Sequence, residues 1–96
     1  MDVREARNRL SNKLAEYRAH SYSSLAARIN TLDCAVVLGS SGAEYQIEVQ
    51  FLWDDQPGGS VRVMGGIDDG GLRAFVPICD SFIMAPDGTI VGDSAA

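Results

Sequence analysis

The run Tyr45-Gln46-Ile47-Glu48-Val49-Gln50-Phe51-Leu52-Trp53 decides the architecture of this chain. Tyr45, Ile47, Val49, Phe51 and Trp53 point one way, and Gln46, Glu48, Gln50 and Leu52 point the other. That alternation belongs to a strand with one face in a core and the other towards water. A helix would instead need apolar residues three and four positions apart. A strand of this kind must have neighbours, and the turns on either side supply them.

Upstream, Gly39-Ser40-Ser41-Gly42 separates it from a strand at 34–38. Downstream, Asp55-Gln56-Pro57-Gly58-Gly59 leads to a strand at 60–67. Asp68-Asp69-Gly70-Gly71 contains an Asp-Gly pair, a hairpin signal, and predicts a fourth strand from Leu72 to about Met84. Pro86-Asp87-Gly88 turns the chain again, with a short fifth strand at 89–91. Opposed residues share a face. Pairing Leu38 with Ala43, Asp54 with Ser60 and Ile67 with Leu72 produces one inner face: Cys34, Val36, Tyr45, Ile47, Val49, Phe51, Trp53, Val61, Val63, Ile67, Ala74, Val76, Ile78 and Phe82. In this register Gly65 meets Ala74, a low spot where a helix can approach closely. Cys34 falls inside and Cys79 outside, so no disulfide joins them.

Towards the N-terminus the period changes. Val3, Ala6, Leu10, Leu14 and Tyr17 step by three or four and form one apolar stripe. Asp2 followed by Glu5 is a capping-box-like start, so a helix is expected from Asp2 to about Arg18. His20-Ser21-Tyr22-Ser23 interrupts it with residues that favour caps and turns. A second helix then presents Tyr22, Leu25, Ile29 and Leu32 on one face and ends near Asn30-Thr31. The fold class is therefore α+β in one domain spanning 1–96. A helix pair (2–32) lies on one face of a four- to five-stranded antiparallel meander (33–92), and 93–96 form a disordered tail. This outline resembles the cystatin and nuclear-transport-factor-like superfolds, in which a curved antiparallel sheet wraps a helix. The resemblance implies a fold and no activity. The cystatin-type Gln-Val-Val-Ala-Gly stretch is absent.

A chain of 96 residues buries roughly 60–68% of its unfolded surface, enough to fold without disulfides or metal. Net charge is −5, but the sign is split. Residues 1–32 carry six cations against three acids, a net of +3, and residues 33–96 carry two against ten, a net of −8. Complementary helix and sheet surfaces account for such a split without a nucleic-acid partner. The charged start, Met1-Asp2-Val3-Arg4-Glu5, is not a secretory signal, and no run is long enough to span a membrane. Two cysteines 45 positions apart form no metal or redox motif, which points to a cytoplasmic protein with reduced thiols.

Chemistry-bearing motifs are scarce. His20 is the single histidine, and its neighbours mark it as an exposed linker residue. In Cys79-Asp80-Ser81, adjacent strand residues face opposite sides, so thiol and carboxylate cannot address one substrate. Asp54, Asp55, Asp80 and Asp87 gather towards one end of the meander, but no spacing matches a calcium loop. Gly65-Gly66 and Gly70-Gly71 lack the strand-then-helix context of a phosphate loop. No catalytic set, cofactor or metal is expected. The basic face of the helix has no aromatic residue set among its cations, Tyr17 lying on the apolar stripe, so nucleic acid is not expected either.

The outer sheet face is different. Beside Glu44, Gln46 and Glu48 it carries Leu52, Met64, Phe75, Pro77 and Ile83, with Met64 opposite Phe75. An exposed apolar cluster of this kind marks a surface for self-association or for another protein. A second reading places a ligand in a cavity between helix and sheet, lined by Tyr17, Tyr45 and Trp53 and closed by Asp80.

Overall fold

The computed structural model describes residues 2–40, 42–70 and 78–93. Two helices, α1 (Val3–Arg18) and α2 (Tyr22–Ala26), precede five strands: β1 (Leu32–Leu38), β2 (Glu44–Trp53), β3 (Val61–Asp68), β4 (Ile78–Met84) and β5 (Ile90–Asp93). The strands form one antiparallel sheet in chain order, so the fold is the α+β meander expected from the turns.

α1 opens at Asp2, whose extended backbone lets its carboxylate accept the Glu5 amide hydrogen at 3.1 Å. That bond satisfies one of the donors every helix start leaves without a partner. Arg18 occupies the last turn, where the helix dipole favours a cation. The stripe of Ala6, Leu10, Leu14 and Tyr17 is buried, and α1 lies across β3 and β4. Beneath it the sheet presents Ile47, Val49, Phe51, Val61, Val63, Ile67, Phe82 and Met84, all buried. Gly65 sits at the crossing. A Cβ there would stand 2.8 Å from Leu10 Cδ1 and 3.1 Å from Leu14 Cδ2. The missing side chain is what brings the helix down onto the strand.

Three expectations need correction. The second helix is shorter than the periodicity suggests, because Asn30 adopts a left-handed conformation (φ 68°) and donates its amide hydrogen to the Phe51 carbonyl at 2.9 Å. Asparagine tolerates that geometry better than most residues. Leu32 therefore starts β1 and lies 52% exposed.

The β1–β2 register is one residue from the expected one. Gly39 donates to the Ala43 carbonyl at 2.7 Å, Gly42 donates to Gly39 at 3.0 Å, and Gly42 takes φ 85°. Glycine at that left-handed position allows a three-residue loop to close on Gly39 and Ala43. Val37 then meets Tyr45, and Ala35 meets Ile47. A one-residue slip turns every side chain over. Asp33, Ala35 and Val37 face inward, while Cys34 and Val36, expected in the core, face outward and are exposed.

At the third turn the Asp-Gly pair does not bring Leu72 onto Ile67. Ile67 pairs with Ile78, six positions later. Six is even, so the faces survive: Ile78 and Phe82 still point inward, and Met84 joins them in the core. The partners do not survive: Gly65 meets Asp80 instead of Ala74, Val63 meets Phe82, and Met64 meets Ser81 instead of Phe75. Ala74, Val76, Phe75, Pro77 and the expected start of the fourth strand lie outside the described residues, as do 94–96 of the expected tail. The β2–β3 register, with Phe51 on Val63 and Val49 on Gly65, is the one read from the sequence.

The split of charge is used inside the fold. Lys13 Nζ lies 3.9 Å from Asp33, which also accepts the Tyr17 hydroxyl proton. Arg18 lies over the Phe82 ring at 5.2 Å, and Arg28 lies 5.7 Å from the Tyr17 ring and 5.8 Å from that of Phe51. Arg18 of α1 and Arg28, just beyond α2, thus cap the aromatic rim of the core.

Glu5 ties α1 to the first turn. Its carboxylate accepts from the Ser40 amide (2.9 Å), the Ser40 hydroxyl (2.6 Å) and the Tyr45 hydroxyl (2.8 Å). These bonds to the charged form, Ser40's foremost, lower the Glu5 pKa from 4.5 to about 2, and the bond from Tyr45 pushes that phenol up. A depressed carboxyl pKa stabilises the fold in full above pH 4.5, and the contribution is lost as pH falls towards 2. Urea midpoints measured between pH 2 and 6 should fall across that window, and Glu5→Gln should flatten the slope. A slope unchanged in the variant would remove Glu5 as its source. Gly65→Val tests the helix seat. It should destabilise by about 1–3 kcal/mol by overpacking, although valine is the better strand former. A more stable variant in urea titration would contradict the contact with Leu10 and Leu14.

Candidate functional site

Among the described residues the helices cover only the inner side of the sheet, and the outer side is built from strands. Cross-strand rows define it. Leu52, Arg62, Ile83 and Gly92 form one row, Gln50, Met64 and Ser81 the next, and Glu48, Gly66 and Cys79 a third. Met64 stands on the middle strand of five and is 39% exposed. Leu52 and Ile83 are half-buried beside it. Arg62 passes between them and ends in an ion pair with Asp54, with Nη2 at 2.6 Å and Nε at 3.0 Å from one carboxylate oxygen. An ion pair this exposed adds at most about 1 kcal/mol. It fixes the guanidinium on Asp54, while the residue itself stands between Leu52 and Ile83 in the row.

Gly66 has no side chain to raise the third row. A shallow hollow of about 320 Å³ results, lined by Glu48, Gln50, Met64, Gly66, Asp68 and Cys79. The surface thus has an apolar centre, a dip beside it and a rim of carboxylates, amides and one guanidinium. β5 does not fold over it. That strand continues the sheet beside β4, and Ile83 leans onto it: a Cβ at Gly92 would stand 3.0 Å from Ile83 Cδ1. Of the residues expected to form the docking face, Leu52, Met64 and Ile83 share this surface, and Phe75 and Pro77 lie outside the described residues.

The residues of the cavity reading do not converge. Tyr45 is buried near the first turn, its hydroxyl on Glu5. Tyr17 is buried at the other end of β2, edge-on to Phe51 at 5.1 Å. Trp53 packs against the core where β2 ends. Asp80 stands opposite Gly65 in the middle of β4, not at the end of the sheet, and accepts from the Ser81 amide at 2.8 Å. The space over Gly65 is filled by Leu10 and Leu14. These four side chains are parts of the core and its margin.

The other candidates are used locally. Asp87 accepts from the Thr89 hydroxyl and amide, bonds that hold its carboxyl below the usual range, and Asp54 is engaged by Arg62. Among the described residues no three His, Cys, Asp or Glu side chains are grouped to hold a metal ion. His20, expected to be exposed, is half-buried, with Nδ1 2.9 Å from Ser24 Oγ and its ring 5.4 Å from that of Tyr17. No helix among the described residues is long and apolar enough to cross a membrane.

Sequence reasoning missed the outer column of β1. Leu32, Val36 and Leu38 are 52%, 62% and 63% exposed, with Cys34 exposed between them. Only the geometry of the Gly42 loop could have revealed them, since Ala35-Val36-Val37-Leu38 has no polar residue to mark its solvent face. Cys34 and Cys79 now share the outer face and one cross-strand row. Three strand spacings of about 4.8 Å keep them roughly 14 Å apart, well beyond disulfide reach.

Compared with protein-family models, curated proteins and solved structures, the chain matches none. The cystatin and nuclear-transport-factor-like outline thus has no matching structure behind it.

Exposure of both thiols is directly measurable. Cys34 and Cys79 should both react with a thiol reagent in the native state at rates close to those of the unfolded chain. One fast and one protected thiol would instead favour the register that buries Cys34.

Proposed function

We propose that this chain is a small non-catalytic interaction module that docks a protein, a second copy or another chain, on the outer face of its sheet. The observation that carries the proposal is Met64. A methionine on the central strand, 39% exposed, has no second layer over it among the described residues, whereas the opposite side of the same strand is sealed by α1. Water is a poor neighbour for Met64, Leu52 and Ile83 together, and a partner surface would remove all three from it. The surroundings fit the same reading. An apolar centre within a polar rim is the anatomy of a docking surface, and methionine adapts to partners of varied shape. Two exposed thiols, neither in a disulfide, suit a reducing compartment such as the cytoplasm.

A photo-crosslinking residue placed at Met64 should capture a discrete partner in cells. The same residue at Ser11, on the exposed side of α1, should not. Adding Leu52→Ser should weaken capture about tenfold, as for a contact worth about 1.4 kcal/mol. Equal capture from both positions would sink the proposal.

A further inference from the structure

The two edges of the sheet are built differently. β5 is four residues long, and its register breaks between Ile83 and Met84. Short, bulged edge strands are a common protection against pairing with another chain. β1 has no such protection: seven residues, an unbroken register, no proline and no lysine. Its one charge, Asp33, points inward and is held by Tyr17 and Lys13.

Backbone geometry adds to this. Gly39 and Ala43 are a hydrogen-bonded pair, and such pairs alternate along an antiparallel ladder. Asp33, Ala35 and Val37 therefore spend their backbone groups on β2. Leu32, Cys34, Val36 and Leu38 turn theirs to the edge that no described strand covers, and these are the residues whose side chains are exposed. Hydrogen-bonding capacity and apolar surface stand on the same four positions.

The strand is also complementary to itself. With a two-fold axis through Ala35, Leu32 falls opposite Leu38 of a second copy and Cys34 opposite Val36. Each of these pairs is apolar, and each is one whose backbone groups face the edge. Asp33 falls opposite Val37, so no like charges meet. Shifting the axis to Cys34 or Val36 leaves only five of the seven residues paired.

We infer that β1 is a self-pairing edge, joining two copies antiparallel across Ala35 into one ten-stranded sheet. A second copy is favoured over an unrelated extended peptide because this strand supplies the apolar sequence, the length and the two-fold match about Ala35 that its own edge requires. The pairing would set the two outer faces side by side on one continuous surface. It uses β1 and not Met64, so it stands apart from the docking role proposed for the outer face.

Light scattering after gel filtration of the full chain should give twice the monomer mass at high concentration. Val36→Lys should weaken association at least tenfold, with a thermal midpoint equal to the wild type's at concentrations where both are monomeric, because Val36 makes no part of the core. Met64→Lys should leave the dimer intact. The register is tested by Ala35→Cys in a Cys34→Ser, Cys79→Ser background. Ala35 meets its own copy at a non-hydrogen-bonded position, where Cα atoms lie about 4.5 Å apart, so mild oxidation should link the dimer. Val37→Cys in the same background should not link. A strict monomer would overturn the inference. So would a dimer that survives Val36→Lys, or one dissolved by Met64→Lys, which would move the interface to the outer face.

Discussion

The seating of α1 on β3 at Gly65 organises the molecule. Leu10 and Leu14 occupy the volume that a side chain at position 65 would take, so the helix axis lies close to the central strand. From that position Ala6 and Tyr17 reach the core at either end of the crossing, and with Leu10 and Leu14 they are buried, while Val3 at the start of the stripe is half-buried. Dispersion and burial both depend on that distance, because a small gap forfeits much of each contact. The polar ties at the two ends follow. Glu5 can reach Ser40 and Tyr45, and Lys13 and Tyr17 can reach Asp33, because the helix is held where it is.

This seating leaves the sheet two-faced. α1 and the single turn of α2 cover one side, and among the described residues the outer face is finished by strand side chains. Charged and amide residues on β2 make that finish easy, while Met64, Leu52 and Ile83 interrupt it. The same economy applies at the edges. β5 is shortened and bulged, and β1 is left long and apolar. Those two interruptions are what separate this molecule from a sheet designed only to fold.

Much of the fold was legible because its signals are local. Period two in 45–53, the helical stripe from Val3 to Tyr17, the Asp2 cap and the Asp54–Ser60 turn each depend on residues close in sequence. Gly65 as a point of close approach was legible for a related reason: glycine inside a strand is costly unless something needs the space. Leu52, Met64 and Ile83 followed from parity, and parity tolerated the six-residue error beyond Ile67 because six is even. The β1 surface was not legible. Parity does not tolerate an error of one, and nothing local marks Asp33 as an inward residue, since the Tyr17 and Lys13 that hold it come from α1.

The sequence by itself determined the order of helices and strands, the antiparallel pairing of neighbouring strands, and the inward residues of β2, β3 and the described β4. Alternation and capping act over a few bonds and need no tertiary partner. Only the tertiary structure decided the register of β1, the true partners of β4, the short course of α2, and which apolar residues reach the surface. Each of these turns on a contact between distant residues. Gly42 turns left-handed within a loop that Glu5 of α1 holds through Ser40, Asn30 donates to Phe51 across the end of the sheet, and an inward aspartate is accepted because a helix brings it a hydroxyl and an ammonium.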